Sequence, residues 1–393
     1  MTDKSILEQN INGNGKPELP VRRQDFEMGE FLQRNVVPIF FLIICIFGGY
    51  HSGLPLPFLV NEIITRMARN SFLVISLIIP ILAGMGLNFG IVLGAMAGQF
   101  AYVITVNLGM AGLSGFLWTA VLCLPMAVVF GWLTGMLFNN AKGKEMITGI
   151  ILGFFANGVY QFVCLYLVGT FIPVPVKSML LSTGVGLRNT IDIKPMHYAL
   201  DNLWKIRFKI PGVIFPIIIP MVTILVVLLL CVLLHYLFKT KLGQDFRAVG
   251  QDRHIAAVAG IKVDRVRILA VVFSTVLAGW GQVIFLQNLG NINTYGSHVQ
   301  VGTFAVAAIL IGGASVSKAT IGQALLGTLL FHTMFIVSPL AGKNLMGNAQ
   351  IGEYFRVFVT YGVIGLALAL HAWQSRARAK KLQRDAEDAA LGQ

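Results

Sequence analysis

Charged side chains are scarce in this sequence: Asp, Glu, Lys and Arg make up 12% of the 393 residues, while hydrophobic residues make up 56%. Soluble globular domains carry about twice that share of charged residues, roughly 25%. The scarcity excludes an ordinary soluble globule. It predicts an all-α, polytopic membrane protein, because a helix in a bilayer satisfies its own backbone hydrogen bonds.

Motifs for cysteine chemistry and for nucleotide hydrolysis are also absent from the sequence. The four cysteines lie in apolar runs without CxxC or Cys/His ligand spacing, which predicts packing residues and neither a disulfide nor a metal site. They are Cys45, Cys123, Cys164 and Cys231. No GxxxxGK[ST] motif is present. The chain is therefore expected to hold no cofactor and no ATPase site of its own.

The net charge of +13 does not indicate a nucleic-acid partner, because the basic residues lie mainly in short loops and at the two ends. The first segment, 1–35, is polar, lacks a cleavable signal pattern and is expected to be a partly disordered cytoplasmic tail. The last segment, 374–393, is a basic tail expected to leave the membrane beside lipid headgroups. Residues 36–373 between them form one predicted transmembrane domain.

Apolar runs, most of them near the roughly 20 residues that a helix needs to cross a bilayer, predict a bundle of about ten transmembrane helices. They run from Val36 to Ser52, Phe72 to Leu87, Phe89 to Leu108, Phe116 to Phe138, Met146 to Phe171, Val213 to Phe238, Ile268 to Leu289, Gly302 to Gly313, Ala319 to Ser338 and Phe355 to Trp373. With both termini cytoplasmic, the cytoplasmic segments hold 20 Lys and Arg residues and the opposite side 10. The positive-inside rule favours this orientation.

Glycine interrupts the apolar pattern at two corresponding places, after the second run and after the eighth. The first break leads into a series of glycines spaced every four residues, and the second is a Gly-Gly pair. These residues are Gly86, Gly90, Gly94 and Gly98, then Gly312 and Gly313. Paired breaks of this kind predict an inverted repeat of two halves. The regular spacing predicts close helix packing, either within the chain or at a subunit interface.

The central loop, Lys239 to Arg267, holds ten charged residues, of which seven are Lys or Arg. Burying so many charges in a bilayer would cost on the order of 30 kcal/mol, so the loop is expected in water on the cytoplasmic side. Its middle, Ile255 to Ile261, is small and apolar, which predicts a short helix that docks against a partner. The alternative is an ordinary basic loop.

Uncharged amides occur within the apolar runs, whereas no predicted span carries an Asp or Glu near its middle. Ion-coupled carriers and membrane-embedded hydrolases generally need ionisable groups there. Amides both donate and accept hydrogen bonds, which suits an uncharged, hydroxyl-rich solute, although each could instead join two helices. The candidate residues of a solute path are Asn88, Gln99, Asn157, Gln161, Gln282 and Gln287.

The central loop resembles a known motif. Its sequence GQDFRAVGQD at 243–252, followed by Ala256 and Gly260, is similar to the cytoplasmic coupling loop of ABC importer permeases of the ribose, simple-sugar, nucleoside and branched-chain amino acid type. In that family a G-R-x-x-x-A-x-G-x-[ND] run leads to a short helix held in a groove of the ATP-binding subunit. By this resemblance, the residues with an ATPase-coupling role are Arg247, Ala248, Gly250, Asp252, Arg253, Ala256 and Gly260.

The resemblance covers most of the chain from Phe72 to Trp373. It implies a ten-helix permease in a bacterial inner membrane, paired with a second permease, identical or related, and with an extracytoplasmic solute-binding protein. ATP and Mg²⁺ would bind on partner ATPase subunits. The long outer segment from Ile172 to Gly212 carries the basic residues expected to meet the binding protein, namely Lys177, Arg188, Lys194, Lys205, Arg207 and Lys209.

Departures from the family pattern bear on the solute. Gln244 replaces the usual Arg, Ser317-Lys318 replaces a second Gly-Gly, and the first break lacks the acid of many sugar permeases. A sugar or nucleoside is the favoured solute, with branched-chain amino acids as the alternative. A secondary carrier or channel working without ATPases is a second hypothesis. A membrane-embedded enzyme is a third, disfavoured because the sequence offers no catalytic constellation.

Overall fold

The computed structural model describes residues 35–209, 216–366 and 368–369. The predicted tail 374–393, and all of the predicted tail 1–35 except its last residue, lie outside this part of the chain. The helices are α1 Val36–Ser52, α2 Leu56–Ser76, α3 Ile78–Leu82, α4 Ile91–Asn107, α5 Gly112–Asn140, α6 Glu145–Phe162, α7 Met221–Leu237, α8 Lys241–Gln251, α9 Arg253–Val258, α10 Val263–Leu289, α11 Ser297–Ile311 and α12 Ile321–Met346, with α13 beginning at 349. The strands are β1 Thr190–Asp192, β2 Lys205–Phe208, β3 Ile217–Pro220 and β4 Asn291–Asn293.

Helix lengths test the predicted spans. Within the described residues, five helical stretches are long and apolar enough to cross a membrane, and a bent pair, α7 with α8 at 74°, could supply a sixth. Helices α1, α4 and α11 are apolar but shorter, at 15 to 17 residues. The chain is a helical bundle as predicted, while the count of ten spans and the inverted repeat stay predictions.

The second helix begins earlier than the apolar pattern indicates. The predicted run starts at Phe72, whereas α2 starts at Leu56 and includes an ion pair of Arg66 with Glu62 at 3.3 Å. This pair joins side chains one turn apart, which stabilises a helix although both residues are charged. The hydropathy pattern alone therefore placed the start of this helix too late in the chain. Glu62, Arg66 and Arg69 thus lie within a helix whose predicted run began only at Phe72.

Helix α10 lies at the centre of the bundle and packs against α2, α4 and α5. Glycine allows these approaches. A Cβ added to Gly94 of α4 would lie 2.4 Å from the carbonyl oxygen of Thr275, and one on Gly98 would lie 2.7 Å from that of Gly279. The four-residue spacing thus faces a helix of the same chain. Close backbone contact lets dispersion forces hold helices where lipid supplies no hydrophobic drive.

The end of the bundle opposite α8 and α9 carries two small antiparallel sheets, β1 with β4 and β2 with β3. The predicted sixth run begins at Val213, but Ile217–Pro220 is strand β3 and the helix starts only at Met221. Asp201 fixes this region to α10, because its buried carboxylate accepts from Asn288 at 2.8 Å and from Gln287 at 3.1 Å. The hydroxyl of Thr223 donates to the same carboxylate.

Candidate functional site

The coupling face is the surface formed by α8 and α9, at residues 241–258. Each helix begins with a side-chain cap: Thr240 accepts from the backbone of Gly243 at 3.4 Å, and Asp252 accepts from His254 at 2.7 Å and Ile255 at 2.9 Å. The N–H groups of Ile255 and His254 hold the pKa of the Asp252 carboxyl below its ordinary value, because they favour its charged form. Capping explains why α9, only six residues long, is helical.

Helix α9 presents an apolar knob to the outside. Ile255 is 67% exposed and Val258 is 79% exposed, whereas Ala256 between them is 3% exposed. Gly260, with a φ of +83°, ends the segment in a left-handed conformation that glycine adopts without strain. Exposed branched side chains on a short, capped helix suit insertion into a partner's groove. Ala256, one of the predicted coupling residues, instead packs inward.

Backbone contacts join the coupling face to the first glycine break. A Cβ added to Gly250 would lie 2.0 Å from the carbonyl oxygen of Leu82, and one on Gly84 would lie 2.8 Å from the Cα of Gly250. The two breaks also meet, because a Cβ on Gly86 would lie 2.9 Å from Cγ1 of Val316. Gly250 therefore contacts the first glycine break through its backbone. Gly312 of the second break packs against the carbonyl oxygen of Gln323 in α12, and Gly313 against Pro38 of α1.

A buried ion cluster links the coupling face to α6. Glu145, the first residue of α6, accepts from Arg253 at 2.8 Å and from Arg267 at 2.5 Å. Arg253 also donates to the carbonyl oxygen of Gly84 at 3.2 Å, and Arg267 to that of Phe138 at 3.2 Å. The side chain of Arg267 is 0% exposed and that of Glu145 is 6% exposed. One carboxylate thus joins α9, α10 and the start of α6.

The other predicted coupling residues lie nearby without joining this cluster. Arg247 is exposed, with its guanidinium 5.9 Å from the ring centre of Phe238, and Ala248 is half-buried. The sequence analysis did not predict Glu145 and Arg267 as site residues. They stand at the two ends of charged segments next to apolar runs, where an ionic contact between loops could have been suspected, but their pairing across 122 residues has no sequence signature.

The solute cleft is an open cavity of about 380 Å³ between α6, α11 and α13. Its volume falls in the usual range for small-molecule sites, roughly 300 to 1,000 Å³. Aromatic rings and uncharged polar groups line it together. The lining residues are Asn157, Tyr295, Gly296, Val299, Gln300, Thr303, Phe304, Val357, Thr360 and Tyr361. Such a combination can stack on one face of a solute while donating to and accepting from its hydroxyl groups.

Only one of the six predicted path residues lines this cleft. Asn157 does, and its Oδ1 lies 2.9 Å from Nε2 of His298, while Gln161 is half-buried one helical turn further along. The remaining amides are buried and bonded within the chain. Asn88 donates to Ser274 at 3.3 Å, Gln99 to the carbonyl of Asn293 at 3.0 Å, Gln282 to Ser297 at 3.2 Å and Gln287 to Asp201 at 3.1 Å. These four side chains connect structural elements.

The sequence reading missed most of the cleft. Gln300 and Thr303 stand three residues apart on α11, a spacing that places both on one helical face. That signal was available, but the predicted span began only at Gly302. Tyr295 precedes α11, and its hydroxyl donates to the carbonyl of Leu187 at 2.6 Å. Tyr361 comes from α13, and no local pattern connects it with Asn157.

A family model described as the permease component of a branched-chain amino acid transport system matches residues 59–368. The chain belongs to this family. The match covers the glycine breaks, the coupling face, the ion cluster and the solute cleft of the permease. No solved structure gives a significant match.

Curated relatives of the permease are subunits of ABC transporters and import systems. The nucleoside ABC transporter permease protein NupC of Lactococcus lactis is 24% identical over 285 residues, 70% of this chain and 79% of the relative. The fructose import permease protein FruG of Bifidobacterium longum is 25% identical over 293 residues, 72% of this chain and 76% of the relative. The autoinducer 2 import system permease protein LsrC of Klebsiella pneumoniae is 35% identical over 95 residues, 24% of this chain and 25% of the relative.

These findings confirm the predicted resemblance to ABC importer permeases. The permease is a multi-pass transmembrane subunit of an ABC importer, and its relatives are transport subunits. The sequence hypotheses of a lone secondary carrier and of a membrane-embedded enzyme receive no support from this family.

Proposed function

We propose that this permease moves a sugar or a nucleoside through the solute cleft, driven by ATP hydrolysis on partner subunits. The lining of the cleft carries the proposal. Tyr295, Phe304 and Tyr361 offer rings, Asn157 and Gln300 offer amides, and none of the described residues that line the cleft is charged. An amino acid zwitterion would need charged partners for its two ionic groups in such a site. Relatives named for nucleoside and fructose transport agree with this choice over the branched-chain amino acid alternative.

A second permease, identical or related, closes the cleft in this proposal. Gln300 is exposed and Asn157 is half-buried, and polar amides are costly to leave facing hydrocarbon. Helix α6 is mostly uncovered in the single chain, with large apolar side chains exposed along it: Ile147, Ile151, Phe154 and Phe155. A partner seated on α6 would cover these side chains and enclose a polar passage.

Coupling would run from α9 to the cleft through the ion cluster. Arg253 of α9 holds Glu145 at the start of α6, and Asn157 lies twelve residues along the same helix, which is about 18 Å at 1.5 Å per residue. A displacement of α9 by a closing ATPase dimer would therefore tilt a helix that lines the cleft. Alternating access by rocking of two inverted halves would then expose the cleft to each side in turn.

The remaining parts of the assembly follow the same proposal. The coupling face and both termini would be cytoplasmic, ATP and Mg²⁺ would bind on the ATPase subunits, and an extracytoplasmic binding protein would deliver the solute. Its contact would be the opposite end of the bundle, where Lys205 and Arg207 of β2 and the neighbouring Lys209 are exposed. If Arg207→Glu combined with Lys209→Glu left uptake at low solute concentration unchanged, that contact would be excluded.

The function is tested by uptake in liposomes holding the permease with the P-loop subunit that co-purifies with it. Labelled ribose, adenosine and leucine are compared with ATP inside or absent. We expect ATP-dependent uptake of the sugar or the nucleoside. Uptake of leucine alone would contradict the proposed solute class, and equal uptake without ATP would contradict an ABC mechanism.

A matched pair of variants separates the cleft from general helix stability. Thr303 lines the cleft and donates to the carbonyl of Val299 at 3.0 Å, while Thr333 makes the equivalent bond to Leu329 at 2.7 Å away from the cleft. Thr303→Val should raise the KM for the transported solute about tenfold, since one hydrogen bond to a solute is worth roughly 1 to 1.5 kcal/mol. Thr333→Val should leave it unchanged. Equal effects of the two variants on the KM would show that the cleft is not part of the solute path.

A further inference from the structure

A second cavity, the basic cleft, opens beside the coupling face and is separate from the solute cleft. Its volume is about 580 Å³, and it lies where α3 and α7 end and α12 begins. The lining residues are Leu82, His235, Phe238, Lys239, Arg247, Lys318, Ala319, Thr320 and Ile321. None of these belongs to the ion cluster or to the lining of the solute cleft.

One half of the basic cleft is cationic. Lys239, Arg247 and Lys318 come from three different segments and are all exposed. Within the described part of the chain none of the three forms a salt bridge, and no acidic side chain lines the cleft. The nearest acid along α8, Asp245, stands two residues before Arg247 and therefore points to another side of the helix. Three uncompensated cations around one cavity favour an anionic ligand.

The other half is apolar and continuous with a surface of the membrane helices. Phe238 is buried and lines the cleft together with Ile321 and Leu82. Helix α7 leads away from it with Leu228 and Val232 exposed, seven and three residues before His235 and therefore on the same helical face. Apolar helices that end around one cavity place it at the boundary between hydrocarbon and headgroups. Phosphate and acyl chain would each find their own environment here.

We propose that the basic cleft binds the phosphodiester headgroup of an anionic phospholipid, with an acyl chain lying along the exposed face of α7. Basic pockets between membrane helices, at the level of the headgroups, are suited to such lipids. A lipid fits better than an acidic segment of the ATPase, because exposed apolar side chains of α7 share a helical face with His235 of the cleft, whereas the exposed knob Ile255 and Val258 marks the docking helix. The lipid would join the coupling loop, through Arg247, to the second glycine break, through Lys318.

Native mass spectrometry of the purified full chain in detergent tests the site. The chain is titrated with phosphatidylglycerol and with phosphatidylcholine of the same acyl chains. The triple variant Lys239→Gln, Arg247→Gln, Lys318→Gln should lose roughly 100-fold in affinity for phosphatidylglycerol, since each cation contributes a factor of about five. The control triple Lys177→Gln, Lys205→Gln, Arg207→Gln removes the same charge at the opposite end and should bind as the unmodified chain does.

Competition experiments identify the source of the anion, and a single variant controls for misfolding. Inorganic phosphate and glycerophosphoglycerol should not compete with the lipid, because neither has an acyl chain. Lys318→Glu, a single change on an exposed loop, should lower phosphatidylglycerol binding while the thermal midpoint stays unchanged. Equal binding of phosphatidylcholine, displacement by free phosphate, or full binding by the triple variant would overturn the proposal. Loss of co-purifying ATPase with lipid binding intact would reassign the cleft to protein docking.

Discussion

Gly84 and Gly250 are in direct backbone contact: a Cβ added to Gly84 would lie 2.8 Å from the Cα of Gly250. Gly84 belongs to the first break in the apolar pattern and Gly250 to the last turn of α8. At this point the backbone of α8 therefore packs directly against the backbone of the first break, with no side chain between them. If α8 moves in the proposed cycle, this contact would pass the movement to the break, because a main chain has no rotamers to change.

Gly250→Ala should weaken this seating. The new methyl group would lie 2.0 Å from the carbonyl oxygen of Leu82, so α8 must lift away from the break. We expect overpacking to cost about 1 to 3 kcal/mol and solute-stimulated ATP hydrolysis to fall. Hydrolysis is measured in nanodiscs with the ATPase partner. Gly322→Ala in α12, where a Cβ meets nothing within 4 Å, is the matched control. Equal behaviour of both variants would contradict a seating role for Gly250.

Arg253→Gln should uncouple hydrolysis from transport and leave the fold intact. Its side chain is 33% exposed, and Glu145 keeps its second partner, Arg267, so little stability should be lost. Transport per ATP hydrolysed should drop about fivefold or more, the lower end of typical coupling between sites. Arg265→Gln removes an exposed charge from a cavity that Arg253 also lines, and Arg265 does not contact Glu145. If it uncouples equally well, surface charge rather than the link to Glu145 explains the effect.

Asp201→Asn should lower the thermal midpoint of the purified permease. The buried carboxylate accepts from Thr223, Gln287 and Asn288, and an amide can satisfy only part of this set. The expected loss is about 1 to 3 kcal/mol, the range for leaving buried donors without acceptors. Asp192→Asn is the control, because that carboxylate is exposed beside Lys194. An unchanged midpoint in Asp201→Asn would show that the region is held by other contacts.

Acid should loosen α9 through its cap. The folded pKa of Asp252 is depressed by bonds from the N–H groups of Ile255 and His254, so the cap stabilises α9 above the ordinary value of 3.8 and is lost as pH falls below it. The hydrogen-exchange protection factors of the α9 amides, which are measured against the intrinsic exchange rate at each pH, should therefore fall below pH 3.8. Asp252→Asn keeps a capping oxygen that does not titrate and should remove this dependence. A fall in protection of the same size in Asp252→Asn would exclude the cap as its cause.

Composition was enough to predict the helical bundle, the glycine breaks and a charged central loop between apolar helices, although this loop buries Arg267 and does not keep all ten charges in water. Each rests on a local cost that the chain cannot avoid, such as ten charges between Lys239 and Arg267 or backbone crowding at Gly94. The start of α2 escaped because Arg66 and Glu62 neutralise each other one turn apart, which hydropathy does not register.

The solute cleft was harder to predict, because a membrane helix can turn an amide toward a cavity or toward a neighbouring helix. Gln99 and Gln282 look like Asn157 in sequence, yet they bond to Asn293 and Ser297 inside the bundle. Tyr295 and Tyr361 reach the cleft from segments far apart in the chain. Which amide meets open space is decided by the packing of helices, and single-sequence patterns carry little of that information.

In the proposed transport cycle, the shared carboxylate of Glu145 would make release of α9 reversible. When Arg253 lets go, Arg267 stays in place, completely enclosed, and the acid never stands alone in a low-dielectric interior. Release of Arg253 would thus break its bonds to Glu145 and to the carbonyl of Gly84 and leave the bond between Arg267 and Glu145 in place. In the proposed cycle, α9 could therefore be released and bound again many times, at a rate set by the partner ATPase subunits.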